Sequence, residues 1–333
     1  MDSVTQLVLG AGIGYAVSGR QLGKRAFAWG ALAGTIPDLD FLATLPFQDE
    51  FRYLQHHRGI THSVLFSVLA PMGIARFMAR WNRWKPDVAA FRRLFMWGFV
   101  THAILDCFTS WGTQLFWPLS NRIAWHSIFI VDPLYTIPFI VLLLIAMTRS
   151  QLNQSLFWTY AALGISSLYL GWTVCAKAYI HHQFTQLFRH HRIAVTSMIT
   201  RPTPFNTVLW SATAHTADGY YYALISLFDS QSPELFFLPK THTIPDHYRH
   251  SMVSDLIDMT RGFYTLEATE SGLTIHDLRY GFMSDPLRHG PSFVFSYHVA
   301  FTPTKSPQLR IQNPRPTNPL AHLDELRIRA LGI

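Results

Sequence analysis

Cysteine is nearly absent: the chain has two, Cys107 and Cys175, both in apolar segments. That excludes a disulfide framework and leaves the compartment unreadable from cysteine. Charge is also scarce. Asp, Glu, Lys and Arg make up 14% of the 333 residues, against ~25% in ordinary soluble domains. Met1 to Gly19 is apolar but lacks a basic n-region, so it reads as a poor signal peptide. No Ser- or Cys-centred triad is indicated. Gly10-Ala11-Gly12-Ile13-Gly14 sits in an apolar run and reads as a surface for close helix packing, not as a phosphate loop. No internal repeat is visible, which weighs against a transporter made of related halves.

Apolar and aromatic residues are plentiful. Hydrophobic residues make up 49% of the chain, with 10 Trp and 25 Phe, and mean hydropathy is +0.14. This profile predicts a polytopic membrane protein. The net charge of +7 does not imply a nucleic-acid partner. The cations cluster between apolar runs, at Arg20, Lys24 and Arg25, at Arg80, Arg83, Lys85, Arg92 and Arg93, and at Arg189 and Arg192. That is where membrane proteins meet anionic headgroups.

The pattern changes near residue 185. Before it, apolar runs cover Gln6 to Val17, Ala26 to Ile36, Ser63 to Met78, Leu94 to Trp117, Ile128 to Met147 and Leu156 to Ile180. The first two are shorter than the ~20 residues that span a bilayer. Pro133 and Pro138 are expected as kinks. After it, Val208 to His215 and Tyr220 to Phe228 read as a β-hairpin, and Gly262 to Glu267 with Leu273 to Leu278 as a second. Ser292 to Phe301 reads as a strand, Ser251 to Thr260 as a helix, and the Pro-rich tail Thr304 to Pro319 as extended or loose. The expected fold is a mainly α membrane domain over 1–185, with about four transmembrane helices plus two short N-terminal apolar helices. A small β-rich α+β soluble domain over 190–333 follows. The cationic loop Arg80 to Arg93 predicts a cytoplasmic position for itself, an outer position for His56 to His62, and an extracytoplasmic C-terminal domain. Arg189, Arg192 and Arg201 pull the other way.

Three polar pieces lie in or beside these apolar runs. Asp38 and Asp40 flank one residue after Pro37; they read as a cation site or a helix stop. His57 and His62, with His56, surround Gly59; they read as metal ligands or as a loop facing headgroups, with Thr61 and Ser63 as supporting partners and Arg58 placed to steady a carboxylate or phosphate. His102 and Asp106 share one helix face, as a ligand pair or a buried hydrogen bond. Asp132, before Pro133, reads as a ligand or an N-cap. His181, His182, His190, His191, His242 and His276 are expected at the surface or in linkers. Together the three pieces supply the N/O donors of a one- or two-metal hydrolytic site.

Met1-Asp2-Ser3-Val4-Thr5-Gln6, Pro37-Asp38-Leu39-Asp40, the run His57 to Ser63 and His102-x-x-x-Asp106 resemble the YdjM-like family of inner-membrane metal-dependent hydrolases. Ser127 to Tyr135 and Pro202 to Trp210 resemble a subgroup with a C-terminal extension. The family is distantly similar to zinc-dependent phospholipase C and to zinc nucleases of that helical fold. The resemblance implies metal positions at Asp38, Asp40, His57, His62, His102 and Asp106. Many members carry His where this chain has Gln6. The resulting expectation is an inner-membrane hydrolase using a divalent metal, zinc first and manganese or magnesium as alternatives. Asp40 and Arg58 are the catalytic candidates, His56, Asp132 and Gln6 the additional ones, and a phosphoester or lipid-linked molecule the substrate. The alternative is a non-enzymatic membrane scaffold holding a structural metal or polar cluster.

Overall fold

The computed structural model describes residues 1–43, 50–80, 87–119, 121–302, 305–314 and 318–332. Of the expected cytoplasmic loop and the Pro-rich tail, Arg83, Lys85, Thr304, Arg315, Pro316 and Thr317 lie outside the described residues. The chain forms two compact units, Met1–Gln48 with Arg52–Cys175 and Pro204–Asn206, and Asp49–Phe51 with Ala176–Thr203 and Thr207–Ile333.

The first unit is helical. Its elements are α1 (Ser3–Leu22), α2 (Arg25–Thr35), a 3-10 segment (Ile36–Ala43), α3 (Glu50–His56), a 3-10 turn (Ile60–His62), α4 (Val64–Met78), α5 (Val88–Cys107), α6 (Pro133–Thr148) and the start of α7 (Leu152–His190). Asp2 caps α1 by accepting from the amides of Val4 and Thr5. The glycines of α1 and α2 face one another. A Cβ on Gly14 would stand 2.6 Å from Gly30 Cα, and one on Gly10 would stand 2.7 Å from Gly34 Cα. The two short apolar runs are therefore the two sides of a backbone-to-backbone contact, and α1 is longer than its apolar run, at 20 residues. α5 packs on both, burying Phe91, Leu94, Phe95 and Phe99. Gly30→Val is expected to force α1 and α2 apart and to cost about 1–3 kcal/mol, read as a lower thermal midpoint for the purified protein.

The expectation of four spanning helices is not met by composition. Among the described residues, Val88–Cys107 is the one helix long and apolar enough to cross a membrane, or there are up to two spans if the bent pair Tyr53–His62 and Val64–Met78, angled at 66°, counts as one. α6 is apolar but has only 16 residues, and α7 runs to 39 residues because its helix continues past Lys177 to His190. Pro133 is not a kink. It is the first residue of α6, where its missing N–H leaves no hydrogen bond unmade, while Pro138 lies inside the helix.

The second unit carries two antiparallel four-stranded sheets in simple up-and-down order. The first contains β1 (Ser197–Pro202), β2 (Leu209–His215), β3 (Gly219–Ser226) and β4 (Phe236–Pro239). After α8 (Ser251–Met259), the second contains β5 (Tyr264–Thr269), β6 (Gly272–Asp277), β7 (Ser296–Thr302) and β8 (Lys305–Gln312), with the short α9 (Pro286–His289) before β7 and α10 (Pro319–Ala330) after β8. Both expected hairpins form, with Ala212 opposite Ala223 in one and Leu266 opposite Ile275 in the other. Ala176, Ile180, Phe184 and Phe188 of α7 pack with Trp210, Ala212 and Ile225. The tail takes the extended alternative and not the loose one. Its described part is β8, hydrogen-bonded to β7, followed by a helix that Asn318 caps. Pairing with β7 supplies order that its polar, Pro-rich composition does not suggest. His276, expected at the surface or in a linker, is a correction. It is buried because its strand position faces Ser296, whose Oγ lies 2.8 Å from Nδ1.

Candidate metal centre

Three stretches of the first unit bring the polar pieces together. The 3-10 segment after α2 carries Asp38 and Asp40. The chain then leaves α3 through Arg58, whose φ of +58° is in the left-handed region. That conformation costs a non-glycine residue about 1–3 kcal/mol. Here it is held by Arg58 N–H donating to Asp40 Oδ2 at 2.9 Å and by Gln114 N–H donating to Arg58 O at 3.0 Å. The turn Ile60–His62 follows, and Ser63 caps α4 by accepting from Phe66 N–H. α5 supplies His102 and Asp106 from one face.

Asp38, His62, His102 and Asp106 each offer one donor atom, all within 4.8 Å of one another. The separations are those of a small polyhedron. His62 Nε2 lies 3.0 Å from His102 Nε2, 3.2 Å from Asp38 Oδ1 and 3.4 Å from Asp106 Oδ2. His102 Nε2 lies 3.4 Å from Asp38 Oδ1 and 3.7 Å from Asp106 Oδ2. Ligand atoms at the usual tetrahedral zinc distances of about 2.0–2.1 Å from a shared centre are about 3.3–3.4 Å apart. Two imidazoles and two carboxylates at this spacing fit a divalent cation.

The outer contacts aim these donors inward. His102 Nδ1 lies 2.7 Å from Gly34 O, so it donates there and leaves the Nε2 lone pair facing the cluster. His62 Nδ1 lies 3.0 Å from Thr61 Oγ1, which donates to Asp40 Oδ2 at 3.3 Å. Asp106 forms an ion pair with Arg58, whose Nε stands 3.1 Å from Oδ2, accepts from Gln6 Nε2 at 2.9 Å, and is also contacted by the Met1 amine. Arg58 Nη1 donates to Thr109 Oγ1. Burial alone would raise the Asp38 and Asp40 carboxyls, but hydrogen bonds from His102 and His62 to Asp38, and from His57 to Asp40, hold both below the usual carboxylate range.

The remaining candidates sit around this group. His57 and Asp40 stand beside the four donors as a separate pair, with His57 Nδ1 3.0 Å from Asp40 Oδ1. Gln6 touches the cluster through its amide N–H, and its Oε1 is buried without a partner. His56 is exposed on the last turn of α3. Asp132 is the N-cap of α6, accepting from Leu134 and Tyr135 amides and from Tyr169 O–H. Arg58 is buried, at a left-handed backbone position, and pairs with the Asp106 carboxylate, the first of the two partners expected for it. Thr109 and Gly34 escaped the sequence reading; Gly34 acts through its carbonyl, which leaves no residue-type signal. His62, His102 and Asp106 side chains are at most 1% exposed, whereas Asp38 is 21% and His57 17%. Solvent therefore reaches the group past Asp38 and His57. Tyr53 stacks on His57 with ring centroids 4.9 Å apart, and Trp111 stands 6.1 Å away.

A family model described as YdjM inner membrane protein matches residues 1–180, a span that holds all four donors. No curated protein and no solved structure matches the chain.

Proposed function

The chain belongs to the YdjM inner membrane protein family, whose model covers residues 1–180, and we propose that it is an integral-membrane, metal-dependent hydrolase of phosphoester or lipid-linked substrates. The observation that carries this reading is the four-donor group Asp38, His62, His102 and Asp106 with its wet edge. These residues would hold the ion, zinc first by donor type, with manganese or magnesium as alternatives. A divalent ion bound there supplies Lewis-acid polarisation of a phosphoryl or carbonyl oxygen and makes water more acidic. Arg58 and Gln6 hold Asp106 in place. The Asp40–His57 pair orients an imidazole at the wet edge, where it can take a proton from water or give one to a leaving group. Leu39, Phe41, Leu42 and Ile60, all exposed, lie beside the ligands in the chain and suit a substrate with an apolar portion.

The rival reading is a membrane scaffold with a structural cluster. It draws on the mutual hydrogen-bond distances among His62, His102 and Asp38, which make a self-contained network. Turnover decides between them. Metal-loaded protein in detergent is expected to hydrolyse a chromogenic phosphodiester, a phosphomonoester or a phospholipid, to lose activity with EDTA and to regain it with zinc. His57→Gln is expected to keep its metal and lose about 10²–10⁴-fold in rate. No turnover across that panel by protein shown to hold its metal supports the scaffold.

A further inference from the structure

From residue 133 to 217 the chain carries no Asp or Glu, while Arg149, Lys177, Arg189, Arg192 and Arg201 all fall in that stretch. Within it, the end of α7 and the chain that follows build a cavity. α7 closes through Arg192, whose φ is +57°. Arg192 N–H donates to Arg189 O at 3.0 Å, and Ile193 N–H donates to Phe188 O at 2.9 Å. These bonds stop the helix and turn the chain back beside it. His181 Nδ1, 3.0 Å from Thr200 Oγ1, ties β1 to the same helix.

The cavity has a volume of about 510 Å³, and no carboxylate lines it. That size is ample for a small ligand or for part of a larger one. Its polar side is one face of α7, where His181, Thr185 and Arg189 follow at helical spacing. Phe188, Ile193 and Met198 give it an apolar wall. The Arg189 guanidinium has no hydrogen bond or ion pair among the described residues. His181 has Nδ1 taken by Thr200 and offers Nε2. An open cation beside an apolar wall suits an anion that carries an apolar tail. A membrane supplies such molecules. The chain belongs to an inner membrane protein family, and α7 leaves Leu168, Trp172, Val174 and Tyr179 45–76% exposed in the turns before His181. On a membrane protein such apolar side chains lie against acyl chains, Trp and Tyr sit at headgroup level, and cations just beyond meet anionic headgroups.

We propose that this cavity binds an anionic membrane phospholipid, with the phosphodiester on Arg189 and His181 and the start of an acyl chain against Phe188, Ile193 and Met198. The site belongs to the second unit and does not depend on hydrolase activity at the metal centre.

The test uses full-length protein in detergent, stripped with EDTA so that the Asp/His group does not hold a phosphodiester through a metal. Labelled phosphatidylglycerol and phosphatidylcholine with the same acyl chains are titrated separately, and the lipid retained per chain is measured after gel filtration. Wild type is expected to keep about one phosphatidylglycerol per chain beyond its phosphatidylcholine level. Arg189→Gln is expected to weaken phosphatidylglycerol binding about 10- to 100-fold, the worth of a hydrogen bond to a charged group, and to leave phosphatidylcholine retention unchanged. Thr185→Glu is the second variant. It sets a carboxylate four residues before Arg189, a favourable helix pair that occupies the guanidinium, and is expected to lose the lipid while melting as wild type does. Glycerol phosphate, which has the headgroup chemistry without the chains, is expected to compete only at large excess. Equal retention of the two lipids by wild type, wild-type phosphatidylglycerol binding by either variant, or displacement of the lipid by an equal concentration of glycerol phosphate overturns the proposal.

Discussion

His62→Ala/His102→Ala is expected to empty the metal centre, taking bound zinc or manganese from about one equivalent per chain to under ~0.1. The two Nε2 atoms stand 3.0 Å apart and supply both nitrogen donors of the group. Without them, Asp38 and Asp106 remain as two carboxylates with no imidazole between them. His57→Ala is the matched control. It removes an imidazole five positions from His62 in the chain, but one hydrogen-bonded to Asp40 at the wet edge. Elemental analysis should find metal retained there. Equal loss in both variants would put His57 in the coordination shell and contradict the assignment of the four donors.

Arg58→Met is expected to destabilise the metal-free protein by about 3–5 kcal/mol, because it leaves the Asp106 carboxylate buried without its guanidinium. Arg58 Nε lies 3.1 Å from Asp106 Oδ2, and both side chains are at most 4% exposed. A bound divalent ion offsets part of the lost charge, so the loss should be smaller in metal-loaded protein. Denaturant melts with and without EDTA measure the difference. Arg58→Lys should fall between the two, since an ammonium keeps the charge but lacks the fork that reaches both Asp106 and Thr109. Equal destabilisation with and without metal would show that Arg58 and the ion do not act on the same carboxylate.

The chain's local patterns determined much of this. His102 and Asp106 meet because helical spacing puts them on one face. The glycines of the first apolar run mark a packing surface because nothing else lets backbones approach so closely. The two hairpins follow from alternating strands around short turns. Those signals act over a few residues, and a few residues are enough to read them. Tertiary structure decided which candidates converge. His62 and Asp38 are 24 residues apart in the chain, and His62 and His102 are 40 apart. The left-handed backbone at Arg58 separates His57 from His62, sending one ring to the wet edge and the other to the buried centre. It also turns Arg58 inward to Asp106, and packing of α2 on α5 places Gly34 O against His102. β8 illustrates the same division, since its order comes from pairing with β7. Residue type and spacing reveal the chemistry a side chain can offer; its direction depends on long-range packing, which no short window of sequence contains.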